Sequence, residues 1–195
     1  EQRTRTNWAG NVTYRASGLA RPTSVGSLQE LVASTPRLTA LGSRHSFNAI
    51  ADTDALQVSL ADLPPVLDID TDRRVVRVAA GMIHSQVAGG LEARGWALAN
   101  LASLPHISTA GAVATGTHGP GTRHPSLAQA AVRPQVARAS RDVAWVDATA
   151  PDGALDAHRV APGALGGLTP AELALKPPFA AAPPRDLHRR PEELR

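Results

Sequence analysis

An α+β fold is expected from three features of the chain. A strand, a helix and a second strand follow one another between residues 11 and 42, the succession of a βαβ unit. From about Leu56 onward, short apolar runs joined by a polar turn point to antiparallel pairing. The 195 residues suffice for one sizeable core, or for one large and one small lobe.

The first strand is read in NVTYRA, residues 11–16, which puts Val12 and Tyr14 on one side. In RPTSVGSLQELVAST, Pro22 precedes a Thr/Ser cap, and Val25, Leu28, Leu31 and Val32 recur at helical spacing. RLTALG, residues 37–42, is the second strand and closes on a glycine. Three short strands follow in ALQVSL, VLDID and RVVRVAAG, the last two joined by a hairpin turn over residues 70–74. IHSQVAGGLEARGW, residues 83–96, reads as a helix weakened by Gly89 and Gly90 and stopped at Gly95.

Past Leu127 the character changes. AQAAVRPQVARASRD has weak helical spacing interrupted by Pro134, and VAWVDATAPDGALDAHRV suggests a hairpin around Pro151, Asp152 and Gly153. Residues 177–195 form a Pro/Ala/Arg-rich tail with little to bury, expected to be irregular and disordered. No internal repeat is present.

Composition excludes several functions. With 20 Lys+Arg against 17 Asp+Glu, no basic face or aromatic platform stands out, so nucleic acid is not an expected partner. The absence of cysteine removes disulfides, thiolate metal sites and a cysteine nucleophile. No apolar stretch approaches the roughly 18 residues of a membrane span, and residues 1–10 hold no signal-like apolar run. A soluble, cytoplasmic protein is the expectation. His118 and His124 lack an evident third ligand, so no metal site is expected. The nucleophile elbow of serine hydrolases, the phosphate loop of nucleoside triphosphatases and the Rossmann glycine fingerprint are all missing.

Two loops remain. LGSRHSFN places Gly42, Ser43, Arg44, His45 and Ser46 at the carboxyl edge of the βαβ unit, where open α/β sheets place ligands. SLPHISTAGAVATGTHG, starting at Ser103, is built almost entirely of small side chains beyond Thr109. Such a loop lets backbone approach a ligand, and its successive N–H groups suit an anion such as pyrophosphate. A tight glycine turn packed beneath a sheet fits the same composition. His45, read alone, is either chemically active or a polar loop residue capping a backbone group.

Together these loops resemble the flavoproteins of the vanillyl-alcohol oxidase type, and within them the sugar-lactone oxidase group that includes alditol (xylitol) oxidases. The resemblance runs over residues 7–131, starting at NWAGNVTYRA. It implies an FAD-binding domain of the PCMH type, made of two small α/β subdomains, with residues 132–176 a divergent or incomplete continuation. By the same resemblance His45 carries FAD covalently, and Gly42, Ser43 and Ser46 offer donors to the pyrophosphate. Arg44 stands where many relatives have a glycine, and either pairs with phosphate or points to solvent. Ser103, Ser108, Gly111, Gly116, Thr117 and His118 match positions that touch FAD. His106 follows Pro105 and is read as shaping the turn.

The implied activity is FAD-dependent oxidation of CH–OH groups in polyols or sugar lactones, with oxygen as acceptor, as in alditol and D-arabinono-1,4-lactone oxidases. The family's substrate domain has no counterpart here, so no catalytic residue is assigned. The chain is expected to be incomplete and inactive alone, its later part reading as truncated or frame-shifted, with only an echo of the family's closing segment in PGALGGLTPAEL. Two alternatives are a non-catalytic FAD-binding fragment and a glycine-rich domain without a ligand.

Overall fold

A computed structural model describes residues 5–119, 124–151, 153–161 and 167–178. It holds two sheets, one parallel and one antiparallel, with helices against them, as an α+β fold requires. The first sheet has three strands, β1 (Gly18–Ala20), β2 (Leu38–Ala40) and β3 (Leu56–Val58), with β3 in the middle and parallel to both neighbours. Helix α1 (Val25–Ser34) crosses from β1 to β2. Ser24 caps it by accepting the Ser27 N–H at 3.0 Å, while the Ser24 N–H donates to Ser27 Oγ at 3.2 Å. The helical spacing read in the sequence puts Leu28 and Val32 into one cluster with Val58.

The first strand lies later than expected. Residues 11–16 close on residues 5–7 instead: the Asn7 N–H donates to the Val12 carbonyl at 2.9 Å, and Asn7 Nδ2 donates to Asn11 Oδ1 at 2.7 Å. Asparagine amides that satisfy local polar groups favour a turn over a ladder. Antiparallel pairing likewise begins later than Leu56. The β3 run belongs to the parallel sheet, and Pro64 and Pro65, which cannot donate to a ladder, separate it from the next strand.

The second sheet is antiparallel throughout. Its strands are β4 (Leu67–Asp70), β5 (Val75–Ala79), β6 (Ala97–Leu98), β7 (Ala131–Ala137), β8 (Val143–Trp145) and β9 (Gly167–Lys176). The order is β4-β5-β9-β7-β8, with β6 also paired to β9. The turn over 70–74 forms as expected: Asp70 Oδ1 accepts the Arg73 N–H at 2.8 Å, and Arg74 takes a left-handed φ of 52°. Helix α2 (His84–Glu92) packs Val87 and Leu91 into a core shared with Val76, Val78 and Leu173.

Residues 127–160 depart most from the sequence-based expectation. Of the stretch 128–142, read as weakly helical, only the start is helical, in α4 (Leu127–Ala130), and β7 comes directly after it. Pro134 sits inside that strand at a register shift, its carbonyl accepting the Val146 N–H at 2.9 Å. A bulge is where a strand tolerates a residue with no N–H. The hairpin forms between β7 and β8, with Arg141 at φ 69°, and not around residue 152. Beyond Gly153 the chain turns into α5 (Ala154–Arg159). The expected tail falls almost wholly on residues 179–195, outside the described ones, as do residues 162–166 of the closing segment.

Candidate functional site

Because β2 and β3 are parallel, their carboxyl ends emerge at the same edge, and the two glycine-rich loops meet there. The Ser108 N–H donates to Ser43 Oγ at 3.1 Å. Ser108 opens α3 (Thr109–Ala114), which is stitched to the exit of β5: the Thr109 N–H and Oγ1 both donate to the Met82 carbonyl, at 2.8 and 2.9 Å. Residues 46 and 47 are clamped from the N-terminal side, where Asn7 Nδ2 and Asn11 Nδ2 each donate to a loop carbonyl at 3.0 Å.

A cavity of about 380 Å³ opens between these loops, within the usual range for cofactor sites. Of the residues singled out from the sequence, Gly42, Ser43, Arg44, His45, Ser46, Ser103, Ser108, Gly111 and Thr117 line it. Gly116 and His118 do not. Gly116 ends α3 with φ 64°, and the exposed His118 lies with Nδ1 3.0 Å from the Gly119 carbonyl. Sequence reasoning missed Tyr14, Ser59 and Gly81 in the lining. Ser59 was within reach, since it comes after β3 at the same carboxyl edge.

Glycines bring the walls together. A Cβ on Gly42 would stand 2.7 Å from Ser108 Oγ, and one on Gly111 would stand 2.6 Å from it. On Gly81 it would lie 1.9 Å from the Leu60 carbonyl oxygen, so backbone crosses backbone there. Ser108 Oγ, held between two glycines, is buried and has no hydrogen-bond partner.

His45 is the other residue of the cavity lining with a buried, unsatisfied polar atom. Its Nε2 is buried without a partner, and its ring lies 5.1 Å from that of Trp8 and 4.6 Å from that of His106, centroid to centroid. Burial, then the neighbouring His106 and Arg44, push its pKa below the ordinary histidine value. The imidazole is therefore uncharged at neutral pH. Arg44 is exposed, and its Nη1 donates to the Thr6 carbonyl at 3.1 Å, from a residue at φ 66°.

Residues 16–136 match the FAD binding domain family. The chain belongs to that family. Over 177 residues it is 42% identical to an alditol oxidase from Streptomyces, covering 89% of this chain and 42% of that protein. It is 33% identical over 177 residues to an L-gulono-1,4-lactone dehydrogenase of Mycobacterium tuberculosis, covering 89% of this chain and 41% of that protein. A crystal structure of 6-hydroxy-D-nicotine oxidase from Arthrobacter nicotinovorans has the same fold, with a TM-score of 0.72 at 20% identity, over 82% of this chain and 36% of that one. The chain thus spans about two fifths of the length of the curated relatives it matches.

The site of this FAD-binding domain fits its cofactor on its own terms. Two buried polar atoms, His45 Nε2 and Ser108 Oγ, lack partners in residues that line the cavity. Such atoms cost free energy unless a partner arrives. Three glycines clear the approach, and hydroxyls from both loops face one space.

Proposed function

We propose that this chain holds FAD between residues 42–48 and 103–117, as the cofactor-binding part of an oxidoreductase. The enzyme would oxidise CH–OH groups of polyols or sugar lactones, with oxygen as acceptor. The observation that carries this reading is the meeting of the two loops around the unpartnered His45 Nε2 and Ser108 Oγ. The 42% identity to an alditol oxidase supports the substrate class.

In this reading Gly42, Ser43, Ser46, Ser108, Gly111 and Thr117 cradle the pyrophosphate and its neighbours, with Gly116 and His118 helping from outside the lining. His45, uncharged, would offer a nitrogen lone pair to the flavin's 8α-methyl carbon; attachment would release one methyl proton and the imidazole's own N–H proton, and oxygen would take the two electrons and both protons as hydrogen peroxide. FAD, once bound, supplies hydride acceptance and reoxidation by oxygen. The cofactor-binding unit is placed over residues 7–131 and continued by 132–176. The seats of β7 and β9 at the centre of the second sheet support that continuation. A cytoplasmic location belongs to the same reading.

The test is reconstitution of the 195-residue chain with FAD, then acid precipitation. Yellow colour retained in the pellet supports covalent attachment. Colour lost to the supernatant leaves reversible binding only, and no saturable FAD binding at all rejects the reading.

A further inference from the structure

His106 follows Pro105 in a turn, as its sequence neighbours imply, but its ring also reaches a neighbour outside that turn. Its ring lies 4.6 Å from that of His45, tilted by 53°. The turn that carries it is pinned on both sides: the Ser85 N–H donates to the Pro105 carbonyl at 2.8 Å, and the His84 N–H donates to the Ile107 carbonyl at 3.0 Å. The first turn of α2 therefore fixes the His106 backbone from two directions. Trp8, whose ring is the other one beside His45, has its backbone fixed in the same manner, the main-chain N–H donating to the Arg44 carbonyl at 2.8 Å.

His45 itself has no such anchor on its ring, because Nε2 makes no hydrogen bond. An imidazole whose tautomer and tilt are not set by a hydrogen bond must be oriented by packing. Two rings carried on anchored backbone supply that packing.

We propose that His106 is a positioning residue for His45, holding its imidazole together with Trp8 at the angle from which it bonds to the cofactor. The purpose assigned to this hold rests on the covalent reading above. The hold itself concerns only this chain's side chains. A second effect has the same origin: His106 and the Arg44 guanidinium both disfavour a positive charge on His45, which keeps its lone pair available.

The experiment compares the full chain with His106→Ala and His106→Phe, two substitutions at an exposed position that leave the core untouched. In the cofactor-free chain, NMR of the His45 ring protons reports its environment and titration midpoint. After addition of FAD, intact mass against time reports the adduct, and flavin fluorescence reports reversible binding. The expected result for His106→Ala is a shifted His45 ring signal and a raised midpoint. Adduct formation should slow by about tenfold to 10²-fold, with reversible binding little changed. His106→Phe keeps a ring without a basic nitrogen, and is expected to restore most of the rate.

Wild-type rates and unmoved His45 signals in His106→Ala would overturn the proposal. So would a His106→Phe variant as slow as His106→Ala. If the wild-type chain forms no adduct, the covalent reading falls. The His45 signals of the cofactor-free variants then decide on the positioning role by themselves.

Discussion

Ser43 Oγ accepts the N–H of Ser108 at 3.1 Å, joining two loops that lie 65 residues apart in the chain. The bond does more than tie them. It seats the start of α3 so that the Ser108 hydroxyl points between Gly42 and Gly111, with no partner of its own. This part of the wall is thus set by Gly42, Ser108 and Gly111, whose spacing leaves no room for a side chain besides that of Ser108. A wall already formed before a ligand arrives lowers the ordering cost of binding.

The glycines in this wall are not equivalent, and alanine substitutions should rank them. At Gly111 the added Cβ meets a serine hydroxyl that can rotate away. At Gly81 it meets the Leu60 carbonyl, which cannot move without shifting a strand end. Gly81→Ala is expected at or beyond the upper end of the roughly 1–3 kcal/mol that overpacking costs, and Gly111→Ala near the lower end. Thermal melts should show a fall of roughly 6–12 °C for the first and a few degrees for the second. Equal melting temperatures would mean the Leu60–Gly81 crossing is looser than it looks.

His45→Ala should abolish covalent flavin and leave reversible FAD binding, because the groups assigned to the pyrophosphate are other residues of the two loops. Intact mass of the FAD-treated variant is the measurement. An undiminished adduct would move the attachment to another residue.

Acid should weaken the fold through His84. This side chain is 2% exposed, neither ring nitrogen has a hydrogen-bond partner, and burial depresses its pKa. Between the depressed folded value and the unfolded value of about 6.5, the unfolded chain binds more protons. Stability from this group is therefore complete above about pH 6.5 and lost as pH falls below it. His45, depressed in the same direction, adds to the slope. Urea midpoints at pH 7.5 and 5.5 should differ for the wild type and differ less for His84→Leu. An unchanged pH dependence in that variant would exclude His84 as a source.

Small side chains, glycines and a cap were readable because each acts locally. The cap at Ser24, the turn at 70–74 and both cavity loops needed no knowledge of distant partners. Strand partners were not readable. Nothing in LQV distinguishes the centre of a parallel sheet from an antiparallel hairpin, since three residues carry alternation and no pairing information. Pro134 disguised β7, because a proline inside a strand is placed by a bulge that only the neighbouring strand defines. The role of His106 was hidden for a similar reason: α2 sets it, far from the loop it serves.

The chain alone should not oxidise alditols at an appreciable rate, even when it holds FAD. Hydride transfer needs the substrate carbon held about 3–3.5 Å from its acceptor, and such positioning supplies roughly 7–11 kcal/mol of the barrier. It also needs a group to take the hydroxyl proton or to stabilise the alkoxide, commonly worth about 10²-fold or more. Among the described residues, the ionisable side chains lining the cavity are Tyr14, Arg44 and His45. Burial raises the Tyr14 pKa above its ordinary value, so the phenol stays protonated at neutral pH and is no base. Arg44 is engaged with the Thr6 carbonyl, and the proposed function assigns His45 to the cofactor. Lys176, the only lysine, pairs through its backbone with Ala97 at the end of β9 and does not line the cavity. No carboxylate lines it either, among the described residues. Stopped-flow mixing of the flavin-loaded chain with xylitol under nitrogen is the measurement, and the flavin absorbance should stay constant over minutes. Rapid, saturable bleaching would show that residues outside the described lining build a substrate site.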